Sequence, residues 1–520
     1  MHTRLTPTML GSLCLLASAA CNSVTGLNDF SVGTGSTSQA MCTTNADCMD
    51  EGNALGAGGE GADVSICVKA THICAKVQSV DCDHVTGDVT DDRAIIVGTL
   101  FATKGQQGTL NTQRQQSAQL AVEEINAVGG VPTPSGNPRK IALVSCDVGT
   151  NLVRASEHLV KDLKVAAIIG PNTSQDTIDV STKVSVAGET LLLSPSAVAS
   201  AITGLVDNDL TWLMVPTDVQ RAPLMIDQIN ELETTLKAAR GVSTIKLSVI
   251  FQDDALGQGT RQGLNQLVIN NKSLGDPINL GKNVQVDGYD GKVKDQSQLV
   301  AKHVAFAPDI IVLAGTAEAI PNLFVPIEQQ WAASNRPYYV LIDPVKGPDL
   351  LAAVAGNDDL RRRVRGTGVT SGPLSTPVNN AFKINYQVAY PGMTAAASGM
   401  GPSYDAAYAI AYGYAASREA MPTGPSIAKA LRKLAGGTTH IDVGRQGATT
   451  AFKELSSGNS IDAMGTFGPL AWDANGAIMG GTIEMWCIGA PSGTPAYQTS
   501  GLFYDVATQE KSGQYTQCGP

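Results

Sequence analysis

Short apolar runs alternate with amphipathic stretches along most of this chain, and that rhythm constrains the fold more than any other feature. AIIVGTL (94–100), KIALVSC (140–146), VAAIIGP (165–171) and TLLLSPS (190–196) read as strands. Between them, residues 111–130, 151–164 and 173–188 read as helices, the first closed by two glycines. The strand runs lack strict apolar/polar alternation, which suits strands buried on both faces. Such strands belong to parallel sheets covered by helices on each side. The rhythm restarts beyond residue 220 with KLSVIFQD (246–253), a helix from Gly259, DIIVLAGT (309–316), a helix from Ala317, and PYYVLIDP (337–344). Two α/β sheets of similar size are therefore expected in one chain. A length of 520 residues leaves room for two or three domains, and the 43% apolar content is enough for sizeable cores.

The first twenty residues have a different character. Arg4 supplies a positive start, Met9–Leu16 is a short apolar stretch, and Ala17, Ser18, Ala19 and Ala20 lead to Cys21. That apolar stretch is too short to span a bilayer and reads as an export signal. The small residues ending on Cys21 resemble a lipobox, with Ser18 where Leu is usual. Cys21 is then the lipidated first residue of the mature chain, held to a membrane on the periplasmic side of a bacterial envelope. A signal cleaved without lipidation is the alternative. Residues 21–41 are rich in Gly, Ser, Thr and Asn and read as a flexible tether, with a span of roughly 25 Å for about twenty residues.

Export places the cysteines in an oxidising compartment. Without Cys14 and Cys21, eight remain: Cys42, Cys48, Cys67, Cys74, Cys82, Cys146, Cys487 and Cys518. An even number suits disulfides. The competing zinc reading lacks the paired C-x₂-C spacing that zinc ribbons need. Residues 42–92 form a Cys-rich segment too small for a core of its own, in need of covalent staples. Cys487 and Cys518 are expected to pair and pin the tail.

Chemistry is sparse. Six scattered histidines make no metal motif, and neither a Walker loop nor a nucleophile elbow is present. GQGTRQG (257–263) has its third glycine one residue too far for a dinucleotide loop. Asp253 and Asp254 read as loop and cap residues. The formal charge of −11 argues against nucleic acid, and the basic run RRRVR (361–365) reads as a solvated helix face. A binding protein without a cofactor or metal, and not an enzyme, is the expectation.

The order of several segments carries a family resemblance. AIIVGTL is followed by SAQLAVEEINAVGG, IIGPNTS, LLLSPSAVASAIT, VPTDVQRAPLM and VIFQDDALGQG, then by SYDAAYAIAYGYAAS and GPLAWDANG. From about Ala94 to Asp505 the chain resembles the type I periplasmic binding proteins, in their leucine/isoleucine/valine-binding branch. The resemblance implies two Rossmann-like lobes joined by three crossovers, with a ligand cleft between them and the small Cys-rich segment in front. Lobe one then holds about 93–216 and 373–460, and lobe two about 217–372 and 461–505, within a domain of 93–505 followed by a tail of 506–520. It implies a small-molecule ligand, an amino acid or similar, and an ABC permease or a sensor as partner.

The resemblance also implies ligand residues. Ser174 matches the family's Ser after the third strand, with an N-cap of the following helix as its other reading. Ser196 and Ala197 match the next cluster, in which Val198 replaces a hydroxyl-bearing Thr. Leu256 stands where an aromatic residue is usual. Asp343 matches the acid that pairs with a ligand ammonium, with a turn before Pro344 as its other reading. Tyr404 and Asp405 are expected to pack within lobe one.

Overall fold

The computed structural model describes residues 41–48, 64–105, 108–395 and 398–519. The signal segment, Cys21 and the tether up to residue 40 lie outside the described residues. The Cys-rich segment carries an antiparallel hairpin of β1 (Ser65–Val68) and β2 (Ile73–Lys76). Six strands form the first lobe's sheet: β3 (His84–Thr86), β4 (Ile95–Phe101), β5 (Ile141–Asp147), β6 (Ala167–Ile169), β7 (Leu191–Ser194) and β8 (Thr211–Leu213). Their order is β3-β5-β4-β6-β7-β8, parallel from β5 to β8, with β3 antiparallel at one edge.

The second lobe begins with β9 (Leu247–Gln252), a small hairpin of β10 (Val268–Ile269) and β11 (Lys272–Ser273), then β12 (Val284–Tyr289), β13 (Ile310–Ala314), β14 (Tyr338–Ile342) and β15 (Val364–Thr370). The chain returns to the first lobe for β16 (Thr439–Asp442) and β17 (Ile461–Met464), which pair in parallel. It ends in β18 (Thr482–Gly489), β19 (Ala496–Asp505) and β20 (Glu510–Gly513). The second sheet is ordered β12-β9-β13-β14-β15-β18-β19-β20, parallel up to β15 and antiparallel beyond. Every residue of β5 and β13 is buried, because helices cover both faces of each sheet's centre. Helix Met400–Ser417 is buried along nearly its whole length, which explains why its sequence is apolar all round.

Several expectations change here. The third crossover falls near residue 481, not 460: β17 pairs with β16, and Trp472 packs on Trp212 at 5.2 Å between ring centroids. The tail is pinned as expected, by a disulfide joining Cys487 to Cys518, and β20 within it also adds to the sheet. The helix expected from Gly259 starts at Ala255, because the Asp254 side chain accepts the Gly257 N–H and caps it there.

The basic run is the largest correction. Arg361, Arg363 and Arg365 are buried rather than solvated. Arg363 makes a two-pronged ion pair with buried Glu328 at 2.8 and 2.9 Å, and Arg361 donates to the carbonyls of Ile488 and Gly519. Arg365 donates to Gln228 and stacks on Tyr515. A guanidinium can be buried when a planar acceptor set meets it, and these acceptors lie far away in sequence.

Disulfides join Cys42 to Cys67, Cys48 to Cys74, and Cys82 to Cys146. The last one fastens the Cys-rich segment to β5, and β3 completes the join. The sulfurs of Cys42, Cys48 and Cys74 lie within 4.8 Å of one another, but each is in a disulfide, so no thiolate is left to hold a metal. Among the described residues, no helix is long and apolar enough to cross a membrane.

Candidate ligand-binding site

Strands β6, β7 and β8 of the first sheet and β9, β14 and β15 of the second end in loops that face one another. The free N–H groups and helix starts at such carboxyl ends make them the usual binding edge of an open α/β sheet. A cavity lies there, walled by Val198 from the first lobe and by Met225, Leu256 and Ile342 from the second. Its polar lining is Asp218, Arg221, Thr260 and Thr367. The free space is about 20 Å³, room for about one water, so the two lobes meet closely in this arrangement. Val198 joins the second lobe's hydrophobic cluster, while Ala255 of the second lobe packs on Ala197, Ala199 and Ile202.

Of the positions singled out from sequence, Val198 and Leu256 line this cavity, whereas Ser174, Ser196, Ala197 and Asp343 do not. Ser174 is buried, and its Oγ accepts the N–H groups of Val198 and Ala199, each at 3.1 Å. The adjacent Thr173 is the helix N-cap, so Ser174 does not cap. Ser196 donates to the Asn172 carbonyl and side-chain oxygens, and the Ala197 N–H donates to Ser194. Beside Ser196 lies Arg114, whose buried guanidinium donates to the Ser398 carbonyl and to Asn111. Burial lowers the Arg114 pKa to about 10, which still leaves it charged at neutral pH. No carboxylate pairs with it among the described residues.

Asp343 is buried at the end of β14 and is already engaged. Its Oδ2 accepts the Val369 N–H at 2.9 Å and lies 3.6 Å from Arg221 Nη1. Its other oxygen packs over Gly368, where a Cβ would come within 2.1 Å. Arg221 also donates to the Pro216 carbonyl, and burial lowers its pKa while Asp343 and Asp218 pull it up.

Asp218 and Arg221 were not picked out from the sequence. They sit in VPTDVQRAPLM, where Thr217 and Gln220 form a capping box at the start of helix Asp218–Arg240. An acid in the first turn needs no further explanation there, because the helix dipole favours it. The burial of Asp218 was the missing signal, and it appears only in three dimensions. Tyr404 donates to buried Glu124, and Asp405 accepts two hydrogen bonds from Thr466, both contacts lying inside the first lobe.

Residues 94–451 match a family model described as periplasmic binding protein. An amino acid binding protein of Pseudomonas aeruginosa is 27% identical over 230 residues, or 42% of this chain. The match spans 54% of that relative, about half its length. Among solved structures, the branched-chain amino acid transporter substrate binding protein LivJ of Streptococcus pneumoniae, in complex with isoleucine, superposes with a TM-score of 0.57 at 18% identity. That superposition covers 78% of this chain and 99% of LivJ. A solute binding protein of an ABC transporter from Rhodopseudomonas palustris, in complex with 3,4-dihydroxy benzoic acid, gives 0.57 at 14% identity, covering 82% and 99%.

Proposed function

This chain belongs to the periplasmic binding protein family, and from that premise we propose that it captures a small solute between its two lobes and hands it to an ABC importer. The observation that carries the reading is the cavity itself, whose walls come from the carboxyl ends of both sheets. A ligand there is enclosed by hinge motion at the three crossovers, and release needs the same motion reversed. The ligand is a small molecule with an apolar body and a polar head. Val198, Met225, Leu256 and Ile342 suit the body. Arg114 beside Ser196 offers a charge for a carboxylate, and an apolar amino acid is the first class to test. LivJ binds isoleucine and the Rhodopseudomonas protein binds an aromatic acid, so both classes belong in one panel.

Mass spectrometry of the solute released from the purified protein tests the reading directly. Thermal unfolding against apolar amino acids and benzoates gives the second measurement, since a ligand at about a hundred times its Kd adds about 2.7 kcal/mol. Absence of any released solute, with no panel member raising the Tm, would overturn capture. We also propose that Cys21 carries a lipid anchor, on the strength of the small residues before it. Cys21→Ala then leaves the protein unprocessed or shifts it from the membrane to the soluble fraction. Wild-type protein that is soluble and unlipidated would reject the anchor.

A further inference from the structure

Helix Thr376–Ala389 carries two apolar stripes, where a surface helix needs only the one that meets the core. The inner stripe is Val378, Phe382 and Tyr386, all buried in the first lobe. There Phe382 packs on Tyr404 at 5.0 Å between ring centroids, and Tyr386 donates to Gln116. The second stripe faces outward. It comprises Pro377, Ala381, Ile384 and Val388, and Leu374 extends it from the turn before the helix. All five residues are exposed, Leu374 by 77%, Ile384 by 60% and Val388 by 76%. Single exposed apolar residues are ordinary on a protein surface, but a continuous row of them marks a contact. Packing within the chain accounts for the inner stripe and not for the outer one.

Spacing, charge and side-chain size together point to what covers it. Alternating steps of three and four residues hold all five side chains on one side of the helix, which is the spacing of a seam between two helices. Lys383 is the one charged residue between Leu374 and Ala395, in a chain of net charge −11. Two copies of so acidic a protein repel each other over most of their surface, and least where acids are missing. Sizes are balanced about Ala381, with Leu374 and Val388 at the two ends and Pro377 and Ile384 between. An antiparallel helix pair with Ala381 on its two-fold axis therefore sets Leu374 against Val388 of the second copy, and Pro377 against Ile384. The small residue at the axis lets the helices approach, while the bulky ones meet at the ends.

We propose that the outer face of helix Thr376–Ala389 pairs with the same face of a second copy of this chain, in an antiparallel two-fold contact centred on Ala381. The helix is about 21 Å long and about 10 Å wide, so this face offers about 200 Å², a quarter of the ~800 Å² per partner in a standard interface. The pair is therefore weak and forms where copies are crowded.

Cysteine cross-linking traps such a pair. The eight cysteines from Cys42 to Cys518 are all in disulfides, so a cysteine on this helix adds a new thiol, and the wild-type chain measures the background. On oxidation of cells that express the full-length chain, Ala381→Cys should give a disulfide-linked homodimer. Its yield should be several-fold above that of Val206→Cys, a position 96% exposed in the loop before β8. Leu374→Cys and Val388→Cys should each give little alone, whereas differently tagged chains carrying one each should cross-link when co-expressed. Adding Ile384→Asp to Ala381→Cys changes only an exposed side chain, and should bring the yield down to that of Val206→Cys. An Ala381→Cys yield no higher than that of Val206→Cys overturns the proposal, as does a yield that Ile384→Asp leaves unchanged. Efficient cross-linking of Leu374→Cys to itself would reject the antiparallel register and the two-fold centre with it. A cross-link that joins Ala381→Cys to a different protein, in place of a second copy, also overturns the proposal and assigns the face to that partner.

Discussion

The hydroxyl of Ser174 accepts two backbone N–H groups that have no other partner among the described residues, those of Val198 and Ala199. Removing it leaves both buried donors unsatisfied, at a cost of about 1–3 kcal/mol. Ser174→Ala should therefore lower the Tm of the ligand-free protein by more than Thr173→Ala, which removes only an N-cap worth about 1 kcal/mol. Thermal unfolding of both variants without ligand checks this, and a wild-type Tm for Ser174→Ala would reject the role. At this scale the sequence is legible as residue type and poorly legible as partner. A Ser following a strand announces a polar contact, but it does not say whether helix, ligand or neighbouring loop receives it. Asp343 shows the same limit. Its position is readable, whereas Arg221, which engages it, lies 122 residues earlier in the chain.

The seven strands read from the sequence fall within a residue or two of their positions because their apolar runs are short and bounded by Gly, Pro and polar residues. What joins elements across the fold was not readable, and the basic run around β15 is the example. Glu328, on helix Val325–Gln330, accepts from Arg363 through both oxygens, from Arg336 and from Tyr339, so one carboxylate ties its helix to β14 and to the residue that leads into β15. Burial alone would raise the Glu328 carboxyl, but the hydrogen bonds and charge of Arg363 outweigh it and hold it below the ordinary value. Glu328→Gln leaves Arg363 buried with only exposed Asp359 as its acid, and breaking such a buried pair costs about 3–5 kcal/mol. A carboxyl depressed on folding stabilises above its unfolded pKa and loses that contribution as pH falls through the folded one. The stability gap between wild type and Glu328→Gln should therefore be full at pH 7 and narrow below about pH 4.5. Urea unfolding at pH 7 and pH 3.5 measures it, and an equal gap at both would reject the ion pair as its source.

At the scale of the molecule, two lobes could be inferred from a rhythm that stops and restarts, but the last crossover could not be placed. Residues 465–481 lack that rhythm, and only the pairing of β17 with β16 shows which lobe they follow. Helix Met400–Ser417 grips the start of this crossover through one buried acid. Asp405 Oδ2 accepts the Thr466 N–H at 2.8 Å and its hydroxyl at 2.6 Å, while Oδ1 has no donor among the described residues. Burial pushes the Asp405 carboxyl up to about 7, against the pull of the two Thr466 bonds. A carboxyl whose pKa rises on folding penalises the native state once it ionises. The penalty is absent below the unfolded value near 3.8, grows through the interval, and is complete above about 7. At about 1.4 kcal/mol per unit, it reaches a few kcal/mol. Asp405→Asn keeps an acceptor for both Thr466 donors and cannot ionise, so it should match wild type near pH 4 and be more stable than wild type at pH 8. Thermal unfolding of the two proteins at pH 4, 6 and 8 should show their Tm values separating as pH rises. A separation that stays constant with pH would mean that Asp405 does not change its protonation on folding, and that the crossover is held by the Thr466 hydrogen bonds without any charge penalty.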